Sequence, residues 1–178
     1  MSMNLSYWLN LRENLLLQAN NRTEMTQFLE LVAQFHYQIG MVSDSFPLLA
    51  SLSVLENITL MNMYHQKKSA TGAYKTLEKD ITALGMQNKL HLHRENMARE
   101  DILKTYVLRC VAKNNIIILL NTPRLTDVSL VQKCLDDIEK KIRLWVLCLE
   151  DDSIAYKNLN LRTIPLVAST HAFGYDQT

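Results

Sequence analysis

His91 and His93, one residue apart, are with His36 and His65 the side chains whose type would suit a metal ion. Zinc-binding histidines on a helix fall four residues apart, and structural zinc sites add thiolate or carboxylate ligands at short spacing. Neither pattern is present, so His91-Leu-His93 reads as a surface turn and no metal site is expected. Glu150-Asp151-Asp152 is a dense carboxylate run, which reads as a solvated loop end. Lys67-Lys68 is too short for a phosphate or lipid patch. No nucleophile elbow surrounds any serine. Cys110, Cys134 and Cys148 are odd in number, widely separated and set in apolar stretches without a CxxC, which points to buried reduced thiols. Asn20, Asn21, Thr23 and Thr26 remain, clustered where an apolar run passes into a helical pattern. Backbone N–H groups at such a helix start can hold an anion.

The bulk properties narrow the classes further. A chain of 178 residues suits one domain with a real core, and 48% hydrophobic with 21% charged residues is ordinary globular usage. A formal net charge of +1 supplies no field for nucleic acid or an acidic membrane surface, so no nucleic-acid partner is expected. The N-terminal stretch lacks a basic region followed by an apolar run, and no segment has the uninterrupted apolar length of a membrane span. The expectation is a cytoplasmic protein without direct membrane insertion. The Asn-x-Thr triplets at Asn21 and Asn57 then carry no glycan. Met41, Met61, Met63, Met86 and Met97 read as core filling.

Elements that position these groups follow from the apolar pattern. Asn14–Gln18, Ile116–Leu120 and Leu144–Leu149 are short apolar runs of the kind found in buried strands, and Thr163–Ala168 is a weaker one that Pro165 places at an edge. Helical spacing appears over Met25–Ala33, Val54–Tyr64, Ala70–Leu84, Asn96–Lys113 and Val128–Lys141. Ser53 and Glu56 form the signature of a capping box, and Gly85 is a stop signal. Strands alternating with helices imply an α/β fold with a largely parallel sheet. The stretch from 54 to 100 has no strand and reads as a helical insertion.

The order of these pieces resembles the ATPase domain of ABC transporters. Set against G-x-x-x-x-G-K-[ST], Ala19 and Glu24 fall on the glycines, Asn21 lies within the loop, Met25 falls on the lysine and Thr26 on the hydroxyl residue. The segment Ile39–Ile58 resembles the passage in which a glutamine follows a short strand and precedes "pLLphLTVLENV"; here Asp44 occupies the glutamine position and Phe46–Ile58 is nearly intact. Tyr106–Arg124 resembles "AIARALxxxPxILLLDEPT", with Asn121 at the Walker B aspartate, Thr122 at the catalytic glutamate and Pro123 kept. Met97–Asp101 sits where the signature LSGGQ belongs, Leu125-Thr126-Asp127 resembles the D-loop, and Glu150 takes the place of the H-loop histidine. The match runs from about residue 12 to 168.

The resemblance implies a P-loop NTPase-like core over about 1–45 and 101–178, a helical subdomain over about 46–100, and a reduced antiparallel β-subdomain, or none, because the interval between Met25 and Asp44 is short. It also implies a pseudo-ATPase with no cofactor. Hydrolysis in such enzymes is positioning and charge neutralisation. Met25 brings no cation, and each lost charge-assisted hydrogen bond costs ~1.5–3 kcal/mol. Asn121 brings no charge to Mg²⁺, and a missing general base such as the one Thr122 replaces costs about 10²–10⁴ in rate. The kept segment opens the region that, in the family, receives a helix of the membrane subunit. Phe46, Pro47, Leu48, Leu49 and Leu52 are therefore the docking candidates. The implied partner is a transporter membrane subunit or an intact ABC ATPase subunit, with a homodimer as a further option, and membrane association would come through that partner. A nucleotide- or small-anion-binding sensor with no transporter partner is the alternative.

Overall fold

The computed structural model describes residues 5–43, 47–66 and 69–166. A short helix, α1 (Leu5–Asn10), leads into β1 (Leu15–Ala19), α2 (Arg22–Ala33) and β2 (Ile39–Val42). Next come α3 (Val54–Gln66), α4 (Ala70–Ala83), two 3₁₀ turns at Gln87–Lys89 and Arg94–Asn96, and α5 (Arg99–Ala112). The described residues end with β3 (Ile117–Asn121), α6 (Leu125–Asp137), β4 (Arg143–Leu149), a 3₁₀ segment over Asp151–Tyr156 and β5 (Arg162–Pro165).

All five strands run parallel, in the order β2-β3-β4-β1-β5. Both faces are covered, which is why the central strands are unbroken apolar runs rather than alternating ones. Leu15, Leu17, Ile117, Leu119, Trp145 and Leu147 point to the layer of α1 and α2, where Trp8, Phe28 and Val32 meet them. Leu16, Ile118, Leu120, Leu144, Val146 and Cys148 point to the opposite layer, with residues of α3 to α6. Trp8 and Phe28 pack edge to face at 5.5 Å, and the Arg143 guanidinium holds the end of α1 by donating to the Leu9 and Leu11 carbonyls.

The capping box expected at Ser53 is formed. Glu56 N–H donates to Ser53 Oγ at 3.3 Å, and Ser53 N–H to Glu56 Oε2 at 2.8 Å. The hydroxyl of Ser53 holds the Glu56 carboxyl below its ordinary pKa. Gly85, at φ 66°, ends α4 in the left-handed region. Helices α3 and α4 pack on each other and on α5. Ion pairs Lys79–Glu139 (2.9 Å) and Lys140–Asp80 (2.5 Å) tie α4 to the turn after α6.

Of the antiparallel β-subdomain expected to be reduced or missing, the described residues hold only the isolated bridge Ser53–His93. The physical reason is length, since a single turn over residues 34–38 joins α2 to β2. The helix expected from Asn96 starts at Arg99, because residues 94–96 form a separate 3₁₀ turn. Helix α6 starts earlier than expected, at Leu125, with Arg124 as its N-cap. Helix α1 carries no strong periodic signal, and Lys67, Lys68, Val167 and Ala168 lie outside the described residues.

The three cysteines are buried, and burial pushes each thiol up to about 11. A raised native pKa means stability that is complete below the unfolded value of about 8.5 and is lost as pH rises toward the native one. The urea midpoint is therefore expected to fall between about pH 9 and 11. At neutral pH a thiol reagent should label the protein only after unfolding. Fast stoichiometric labelling of the native protein would contradict this packing.

Candidate functional site

The C-terminal edge of a parallel sheet is where α/β folds place ligands, in the crevice left where strand order reverses. Strand β1, between β4 and β5, sends the chain across to β2 at the far edge, so the switch lies beside the ends of β1, β3 and β4. Ala19 closes β1 opposite Leu149, and Glu150 N–H donates to the Ala19 carbonyl at 2.9 Å. Asn121 closes β3 beside β4, and Thr122 follows with φ 45°, a strained conformation for a β-branched residue. The Thr122 hydroxyl lies 3.2 Å from Asn121 Oδ1 and 3.8 Å from the Met25 sulfur. The fold thus gathers Ala19, Asn21, Glu24, Met25, Thr26, Asn121, Thr122 and Glu150 at one edge. Asp44 lies outside the described residues.

Only Asn20 and Asn21 separate β1 from α2. Asn21 is the N-cap, its side chain accepting from Glu24 N–H at 2.9 Å, and the Glu24 carboxylate accepts from Asn20 N–H at 2.7 Å. These two local bonds occupy the Asn20 and Glu24 N–H groups and set a carboxylate beside the start of α2. Thr26 donates its hydroxyl proton back to the Arg22 carbonyl at 2.9 Å. The phrase Asn21-x-x-Glu24 was the sequence signal for this cap. Of the groups expected to form an anion site, the Asn20 N–H, the Asn21 side chain and the Thr26 hydroxyl are bonded within the chain.

The signature and D-loop positions meet each other. Arg99 grips Asp127 with two hydrogen bonds, the Nε one at 3.0 Å, and Asp101 is buried against Lys89 at 2.5 Å. Tyr156 donates to the Pro123 carbonyl at 2.5 Å and so fixes the segment after β3. The His93 ring lies 3.3 Å from the Ala50 carbonyl, and His36 packs against Tyr37 at a tilt, with ring centroids 4.0 Å apart. Among the described residues no three His, Cys, Asp or Glu side chains group as metal ligands do.

Docking candidates divide. Leu48 points into the core, Leu52 is half-buried, and Phe46 lies outside the described residues. Pro47 and Leu49 line an open groove of about 410 Å³ between α2, β2, α3 and α5. Its walls are mostly apolar, with Ile39, Met41 and Leu60 among them, while Arg109 and Lys113 supply cations from α5. Both cations are held below their ordinary pKa by burial. Arg109 reaches the Pro47 carbonyl at 3.2 Å and stacks on Tyr106 at 4.8 Å. Asn57, buried within α3, braces the loop through Leu49 N–H at 2.8 Å and the Leu49 and Leu52 carbonyls at 3.0 Å. Its amide is fully engaged, so the triplet at Asn57 offers no glycan acceptor.

This architecture matches the fold of a solved ATP-binding cassette. The chain superposes on the dimeric post-hydrolysis state of the ATP-binding cassette MJ0796 bound to ADP and Pi with a TM-score of 0.59. The match covers 86% of this chain and 81% of that one at 15% sequence identity. In sequence the chain is similar to ABC transporter H family member 2 of Dictyostelium discoideum, 25% identical over 118 residues. That alignment covers 64% of this chain but only 23% of the relative's length. No protein-family model matches the chain. No helix among the described residues is long and apolar enough to cross a membrane.

Proposed function

We propose that this chain works by contact rather than hydrolysis, as a non-catalytic ABC ATPase-like subunit serving an ABC-type transport system. The observation that carries the reading is the apolar groove at Pro47 and Leu49. An amphipathic partner helix laid in such a groove buries its apolar face, and an acidic side chain on it would meet Lys113. The hydrolytic side is poor by comparison. Glu24 caps α2 from the place where phosphate N–H contacts are needed, and Met25 contacts Thr122 instead of carrying charge. A transporter membrane subunit is the favoured partner, and an intact ABC ATPase subunit the next.

Two measurements test this. Phosphate release from Mg²⁺-ATP is expected to equal the buffer blank. Release that scales with protein and disappears in Thr26→Ala would refute the non-catalytic half. A photo-crosslinking residue at position 49, used in native cells, is expected to trap an ABC transport component. Leu49→Asp should abolish recovery of that component while leaving the circular dichroism spectrum unchanged. Adducts that never include a transport component would overturn the contact half.

A further inference from the structure

A second cavity, of about 390 Å³, opens between α5, the start of α6 and the ends of β2 and β3. Its character is opposite to that of the groove. Arg94, Arg99 and Arg124 line it, and the single carboxylate among its lining residues is Asp127, already paired with Arg99. Two positive charges are left over. Among the described residues, Arg94 and Arg124 make no side-chain hydrogen bond or ion pair. Two helices of thirteen residues or more begin at its rim, α5 after Ala98 and α6 after Arg124, and neither N-cap side chain bonds its helix. Their first N–H groups and positive dipole ends face this region without a side-chain cap.

Tyr106 supplies the independent observation. It lines the same cavity, is 4% exposed, and its hydroxyl has no hydrogen-bond partner among the described residues. A buried hydroxyl normally finds a partner, so an orphan beside a cationic cavity marks where an acceptor belongs.

We propose that this cavity binds a small organic molecule through a phosphate group, held by Arg94, Arg99 and Arg124 with Tyr106 donating to it. A phosphate monoester carries about two negative charges at neutral pH, which balances the surplus, and its tetrahedral oxygens suit several guanidinium donors. The volume exceeds what a bare ion fills and lies within the range of small-molecule sites. None of the residues from Asn20 to Thr26 lines the cavity, while Asn121 and Thr122 do, so the site adjoins the edge that holds the phosphate-loop position without including that loop, and it does not depend on the contact reading. No sequence motif announces it, because Arg94, Arg99 and Arg124 come from three different elements.

The test is calorimetric titration of the full chain with pyrophosphate and with glucose 6-phosphate, at fixed ionic strength and with acetate as control. Saturable binding of a phosphate probe, and none of acetate, is expected. The double variant Arg94→Gln/Arg124→Gln changes side chains with no structural partner and should weaken binding about 100-fold at an unchanged melting temperature. Tyr106→Phe should weaken it about 3- to 10-fold without destabilising the protein, because it deletes an unpartnered hydroxyl. Binding that survives the arginine double variant, or no saturable binding of either probe by the wild-type chain, overturns the proposal.

Discussion

Alanine at position 40 is expected to destabilise this protein by on the order of 3 kcal/mol or more, a large part of a typical domain's stability. Gly40 sits in β2, paired with Ile118, where α5 lies directly on the strand. A Cβ atom there would stand 2.3 Å from Cys110 Sγ, 2.7 Å from Asn115 Oδ1 and 2.8 Å from Cys110 Cβ. None of these can retreat cheaply. Cys110 is buried within α5, and Asn115 is buried with its amide bonded to the His36 carbonyl at 3.0 Å. Close-packed interiors convert such overlap into backbone displacement. A fall in melting temperature of about 6–12 °C is expected for a chain of this size. Adding Cys110→Ala should recover part of the loss, because it removes the nearest atom and leaves the Cβ overlap. An unchanged melting temperature for Gly40→Ala would mean that α5 does not rest on β2 in this way. Gly40 and Cys110 also line the apolar groove, so this close approach shapes the proposed contact surface.

The second large effect is expected at Trp145. It occupies the middle of the sheet, in register with Leu15 on one side and Leu119 on the other, and it is fully buried. Trp145→Ala should cost about 3–5 kcal/mol, as lost transfer energy plus a cavity that the flanking strands cannot collapse into. Trp145→Phe is expected to behave differently from a simple truncation. The indole N–H has no hydrogen-bond partner among the described residues, so the native state already carries its desolvation penalty of about 1–3 kcal/mol. Phenylalanine removes that donor while keeping most of the apolar contact, and its net cost should stay below about 2 kcal/mol. Urea unfolding followed by circular dichroism, with the m-value checked for constancy, separates the two. Equal losses for Ala and Phe would show that the N–H is partnered after all.

How far each part could be read in advance depended on the range of the interactions behind it. The ABC ATPase-like fold was legible because a sheet covered on both faces needs unbroken apolar strands, and Ile116–Leu120 and Leu144–Leu149 read so directly. The start of α3 was legible because Ser53 and Glu56 satisfy each other within one turn. The stop after α4 was legible because Gly85 tolerates the positive φ needed there. The phosphate-loop position was read by placing motif letters, which locate Glu24 and Met25 in a loop. The structure instead starts α2 at Arg22, since Asn21 caps Glu24 N–H and the Glu24 carboxylate caps Asn20 N–H at short range.

Periodicity and capping act between residues that are near neighbours in the chain, so the sequence by itself determined which segments became strands and helices and where several of them start. The tertiary structure alone decided which side chains meet. Strand order brought Met25 to Thr122, and the turn before α3 sent Leu48 inward and Leu49 outward. Packing of α5 against α6 and the end of β3 gathered Arg94, Arg99 and Arg124 around one cavity. Such encounters join residues far apart in the chain, and their geometry is set by how whole helices pack on the sheet, which no local pattern encodes.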